Sequence, residues 1–173
     1  MFLGYPFTKA QYGVDSWDWY ADNENDKGYC YQHDLGLKDP VEFLTNPLAT
    51  TYFKKKLRYI IARWGYSTSI AVLELISEAN NKFPGYPKEL YHWQLEMATY
   101  IKQELGHQTH LLTVNYDNGR PKVSKGDKSF SIPATDIISH NIHRVALSRE
   151  KLQYFQNKYS KYGKPLIFSE IGT

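Results

Sequence analysis

Two apolar runs in this chain end on the same dipeptide. "AVLELISEANN" (71–81) arrives at Ser77-Glu78, and "PLIFSEIG" (165–172) arrives at Ser169-Glu170. A carboxylate at the end of such a run needs a way out to solvent, a partner, or a purpose. If both runs are strands that open on one rim, the pair is the minimal equipment for cleaving a glycosidic bond. One carboxyl, kept protonated by its surroundings, donates to the leaving oxygen, while the other attacks the anomeric carbon or activates water. A separation of ~5 Å goes with a double displacement and retention, and roughly 6.5–9.5 Å with inversion. Plainer roles stand beside this one. Glu78 suits a solvated strand-end charge or the first-turn acid of a helix, Glu170 suits a paired charge, and Glu74, in step with Glu78, suits a structural position pointing inward.

Other groups arrive at the ends of neighbouring apolar runs. "HLLTVNY" (110–116) delivers Asn115 and Tyr116, followed by Asp117, and "TDIISHNI" (135–142) delivers His140 and Asn141, followed by His143. With Ser77, these make Asn115, Tyr116, His140 and His143 candidates for touching a saccharide. Trp17 and Trp19 lie in a polar, aromatic stretch (15–46) and suit either stacking platforms for sugar rings or staples for a long loop. His140 and His143 are three apart, but no further His or Cys sits at ligand spacing, so no metal is expected. No GxGxxG or GxxxxGK follows any strand, which leaves a nucleotide without a phosphate cradle, and no cofactor is expected.

The elements that must position these groups can be read from pattern. "MFLGYPF" suits a short first strand. Asn46-Pro47 opens a helix, Asn as cap and Pro in the first turn, with an apolar side of Phe53, Leu57, Ile60, Ile61 and Trp64 and a stop at Gly65. "SIAVLELI" (69–76) is apolar without strict alternation, as in a strand buried on both faces. A second helix spans about 87–105 with the stripe Leu90, Trp93, Met97, Ile101 and Leu105. Strands at 110–116, 135–142 and 165–172 follow, with a loop or small hairpin over 117–133 and a Ser148-capped helix over 148–163. Strands near 70, 110, 136 and 166 alternating with helices describe a parallel α/β sheet, either doubly wound or an eight-fold barrel. In both, functional groups gather at the carboxyl ends of the strands.

Composition narrows the class. The chain has 173 residues, 42% apolar and 23% charged, enough for one domain with a substantial core. Aromatic residues make up 16%, with 15 Tyr and 4 Trp, a surplus that suits ring stacking on a flat ligand or a large aromatic core. The net charge of +3 is modest and Lys54, Lys55 and Lys56 form the only tight basic run, which reads as a solvated helix face, so no nucleic-acid partner is expected. The lone Cys30 leaves no internal disulfide. No run approaches the ~20 apolar residues of a membrane span, and "MFLGYPFTKA" lacks the plan of a signal peptide.

These motifs resemble the clan A glycoside hydrolases, the family 5 cellulase- and mannanase-like (β/α)8 barrels. "LRYIIARWGYSTSIAVLELISEAN" is similar to the helix and strand four of that family, "YHWQLEMATYIKQELGHQTHLLTVNY" to the next helix and strand five, "TDIISHNIH" to strand six, and "KYGKPLIFSEIGT" to strand seven. The resemblance implies a retaining hydrolase of β-linked glycans, with Glu78 as acid/base and Glu170 as nucleophile. It also implies an extracellular, periplasmic or cell-surface location. The chain departs from the pattern at three positions: the family's Asn before the acid/base is Ser77, the Trp of strand four is Leu73, and the Tyr after the strand-six His is Ile142, with His143 the group available to stand in.

The resemblance covers about strands three to seven, so the expected architecture is one incomplete domain over 1–173, a partial (β/α)8 TIM barrel with two open edges. The expected ligand is a β-linked polysaccharide or oligosaccharide, and another chain or a longer parent would complete the barrel. The alternative is a catalytically degenerate barrel, a pseudoenzyme that binds glycan or protein.

Overall fold

The computed structural model describes residues 35–117, 127–143 and 148–172. In chain order these form α1 (Pro40–Thr45), α2 (Pro47–Trp64), β1 (Val72–Glu74), α3 (Ala79–Lys82), α4 (Pro87–Thr99, run on as a π-helical turn over Tyr100–Glu104), β2 (Leu111–Asp117), α5 (Asp127–Phe130), β3 (Ile137–His143), α6 (Arg149–Tyr159, closed by a 3-10 turn at Ser160–Tyr162) and β4 (Leu166–Gly172). The expected strand at "MFLGYPF", together with Trp17 and Trp19, lies outside the described residues.

Local chemistry sets the helix starts as the sequence suggests. Asn46 Oδ1 accepts from the backbone N–H groups of Leu48 and Ala49 at 2.8 and 3.2 Å, and Ser148 Oγ accepts from Lys151 N–H at 3.3 Å. Two stretches expected as loop are partly helical. Asp39 and Glu42 build a full capping box that starts α1 inside the 15–46 connection, with Pro40 at the first helical position, and α5 occupies part of 117–133.

The four strands lie in the order β1-β2-β3-β4, every pair parallel. Helices cover one face. On that side Phe43, Phe53, Phe83 and Trp93 form one aromatic cluster with ring centroids 4.9–6.2 Å apart. Phe130, Phe155, Tyr159 and Phe168 form another, under α6. Trp64, expected on the apolar stripe of α2, is instead 39% exposed and packs edge-on against Tyr59.

The opposite face is concave. Asn115 on β2 bonds Ser169 on β4 at 2.9 Å, across the intervening β3. Strands two apart in a flat sheet stand nearly 10 Å from each other, so such a contact requires strong curl. The sheet is one side of a (β/α)8 barrel with α/β layering and parallel strands.

Candidate active site

The pleat decides which residues reach the concave side. On β2, Asn115 faces inward and Tyr116 outward. On β3, Ser139, Asn141 and His143 face inward and His140 outward. The expectation that Tyr116 and His140 line the rim is therefore not met. Tyr116 hydroxyl lies 3.0 Å from Gln94 Oε1 and 2.6 Å from Ser129 Oγ under the helices, where burial pushes its phenol pKa up. His140 stacks on Tyr159 with centroids 4.7 Å apart. Burial, helped by the Lys158 charge, lowers its pKa to about 4, so it is a neutral core residue near pH 7.

Glu170 would share His140's outward fate without a fault in β4. The register runs His140↔Phe168 and then Asn141↔Glu170, so Ser169 is the extra residue of a β-bulge. The bulge lets Ser169 and Glu170 both turn to the concave side, the re-aiming such bulges provide.

Glu78 is placed by backbone. It has φ 46° and ψ 47°, the left-handed region, and it alone does so among the described non-glycine residues. That conformation costs about 1–2 kcal/mol and persists only where surroundings impose it. They do so here. Glu78 N–H donates to Asn115 Oδ1 at 2.7 Å. Two residues on, the Asn80 side chain exchanges two bonds with the Asp117 backbone, at 2.8 and 2.9 Å, extending the β1–β2 ladder by a side chain.

The result is a compact polar rim. His143 Nε2 stands 3.3 Å from Glu78 Oε1 and 3.4 Å from Glu170 Oε2. The three groups each offer an atom within 4.8 Å of the other two. Asn141 Nδ2 donates to Glu78 Oε1 at 3.2 Å, and Asn81 Nδ2 reaches Glu78 Oε2 at 3.3 Å and Asp117 Oδ2 at 2.8 Å. The side chain of Glu78 is 12% exposed and that of Glu170 47%, so one carboxylate is sunk in the wall and the other stands in the opening.

Beneath the rim lies a polar floor. Asn115 Nδ2 is 2.9 Å from Ser139 Oγ, Asn141 Oδ1 and Ser169 Oγ. Asn115 is fully buried and Ser77 is 4% exposed, so both support the rim from below and neither is open to a ligand. Deeper still, Glu74 is 7% exposed; burial raises its pKa to about 7 against the pull of the Ser139 and Ser77 hydroxyls.

Sequence reasoning brought Glu78, Glu170 and His143 forward, and the fold gathers them. Asn141 and Ser169 were placed at strand ends but not among the candidate site residues, and Asn81 and Ser139 were missed; Asn81 and Asn141 hold Glu78, and Ser169 and Ser139 hold the floor. The signal for Asn141 was present, since strand alternation pairs it with His143 rather than with His140.

No family model matches the chain, and no curated protein sequence matches it. Solved structures do resemble it. An endo-beta-1,4-mannanase from Thermotoga petrophila superposes with a TM-score of 0.65 at 20% identity, over 85% of this chain and 40% of the mannanase. The hyperthermostable endo-1,4-beta-D-mannanase from Thermotoga petrophila RKU-1, with maltose and glycerol, gives 0.63 at 20% identity, over 82% and 49%. The chain spans less than half the length of either, and at this identity the likeness establishes fold alone: the described residues are part of a (β/α)8 barrel of the kind those mannanases use.

Proposed function

We propose that the chain is a glycoside hydrolase-like domain that hydrolyses β-linked glycans of the mannan or glucan type with retention, Glu170 acting as nucleophile and Glu78 as acid/base. The observation that carries the reading is the Glu78–His143–Glu170 contact. Carboxylate oxygens within 4.8 Å sit on the retaining side of the divide between roughly 5 Å and 6.5–9.5 Å. In the first step the exposed Glu170 oxygen bonds the anomeric carbon while Glu78, oriented by Asn81 and Asn141, passes its proton to the leaving oxygen. In the second, Glu78 takes a proton from water, whose oxygen displaces Glu170. His143 steadies both carboxylates through one nitrogen, in place of the hydroxyl that the family resemblance leads one to expect. The substrate is a polymer met outside the cell, which favours an exported protein; among the described residues no helix is long and apolar enough to cross a membrane.

Release of reducing ends from β-1,4-mannan or β-1,4-glucan oligosaccharides tests this. Glu78→Gln and Glu170→Gln should each lower turnover by 10²-fold or more, about the contribution of a positioned acid/base. Equal turnover in parent and both variants would refute it. A second reading has its own support. Ile167 and Ile171 on β4 are 37% and 59% exposed, and among the described residues β4 pairs only with β3. An open edge of this kind favours a domain that binds glycan or protein without turnover, or one that another chain completes. Saccharide binding without hydrolysis would select that reading.

A further inference from the structure

His143 Nε2 faces two carboxylates, yet an imidazole nitrogen carries one proton at most and cannot give each a full hydrogen bond. We propose that Glu78 Oε1, His143 Nε2 and Glu170 Oε2 are three ligands of a binding site for a divalent transition-metal ion of the zinc class.

The spacing fits such an ion. Zinc bonds nitrogen and oxygen at about 2.0–2.1 Å, and in a tetrahedron this sets ligand-to-ligand edges of roughly 3.4 Å. Two of the three edges here are already 3.3 and 3.4 Å. The third, between the carboxylates, is at most 4.8 Å, and the half-exposed Glu170 side chain has room to close it. Ligand chemistry points the same way: one imidazole with two carboxylates suits zinc and its neighbours, whereas magnesium and calcium prefer oxygen alone. The fourth corner opens on solvent beside His143 and Glu170, whose side chains are 31% and 47% exposed, so water or a substrate oxygen completes the set.

Supporting residues already hold the ligands. Asn141 and Asn81 bond the two oxygens of Glu78, the outer contacts that tune ligand affinity. The His143 ring rests over the backbone of Gly172, where a Cβ would stand 3.2 Å from Nδ1. A Cβ there is tight enough that the ring or the strand must give by a few tenths of an ångström.

Binding of the ion does not depend on the hydrolase reading; its consequence for catalysis does. Zinc engages both carboxylates and blocks attack and proton transfer together, so under that reading it is an inhibitor.

Competition of the full chain with a chromophoric chelator for ZnCl2 provides the test, with folding checked by circular dichroism. One equivalent of zinc should bind, at least 10-fold more weakly in His143→Phe and in Glu170→Gln, and several-fold more weakly in Gly172→Ala, which keeps every ligand. MgCl2 should not compete. Zinc affinity unchanged across these folded variants overturns the site, as does no binding by the parent. Turnover without zinc binding sinks this proposal alone, and zinc binding without turnover sinks the hydrolase reading alone.

Discussion

Glu74→Gln is the perturbation with the most calculable outcome. Glu74 is 7% exposed, and its pKa rises from 4.5 to about 7, chiefly because burial disfavours the charged form. Between those values the folded chain holds a proton that the unfolded chain has released, so stability falls as pH rises from 4.5 through 7 and is fully reduced above it. A shift of this size amounts to roughly 3 kcal/mol. Gln has the same shape, keeps an acceptor for Ser139 and carries no charge. The variant should match the parent within about 1 kcal/mol near pH 4.5, a typical cost of rearranged hydrogen bonds, and exceed it by up to roughly 3 kcal/mol at pH 8. Urea denaturation at pH 4.5, 6, 7 and 8 reads the difference directly. His140 acts oppositely: its folded pKa of about 4 lies below the ordinary 6.5, so its contribution rises with pH between those values. The two slopes offset one another in the parent, and Glu74→Gln should unmask the rising limb. A stability difference between variant and parent that is the same at pH 4.5 and pH 8 would refute the reasoning.

Three more outcomes follow from the same contacts. His140→Phe, placed among Phe130, Phe155 and Tyr159, should remove the loss of stability on acidification from pH 6.5 to 4, roughly 3 kcal/mol, as read by urea melts over that range. Glu78→Gly should be more stable than Glu78→Ala by about 1 kcal/mol, since only glycine takes the left-handed backbone freely; calorimetric melting of both variants checks it. Trp93→Ala should cost about 3–5 kcal/mol, because Trp93 is 2% exposed and meets Phe43 and Phe53 at 5.4 and 4.9 Å, and its denaturation midpoint would show it.

The order of elements was legible because helices and strands here carry strong local signals: Asn46-Pro47, Ser148, and apolar runs at regular spacing. The parallel α/β sheet followed from that order, which left a doubly wound sheet and a barrel both open; the resemblance to the glycoside hydrolases selected the barrel. Less was legible in the site, and the misses have physical causes. Treating every residue at a strand end as facing the rim ignores the pleat, which sends Tyr116 and His140 to the helices. Glu170 reaches the rim by the Ser169 bulge, and one extra residue in a strand leaves no mark in an apolar run. The expected strand over 69–76 shortens to Val72–Glu74, with single ladder bonds continuing at Ala71 and Leu75. Glu74 was readable as inward and structural; that it keeps a proton to about pH 7 depends on burial that no pattern reports.

The proposed mechanism requires Glu170 to bond covalently to sugar while Glu78 handles the proton. The direct measurement is mass spectrometry of peptides from the protein after incubation with an activated 2-fluoro-β-mannoside or glucoside, whose good leaving group needs no acid to depart. One glycosyl adduct is expected, on the peptide that contains Glu170, formed in the parent and in Glu78→Gln and absent in Glu170→Gln. An adduct on another residue, or glycan turnover that yields the inverted anomer with no adduct at all, would contradict it.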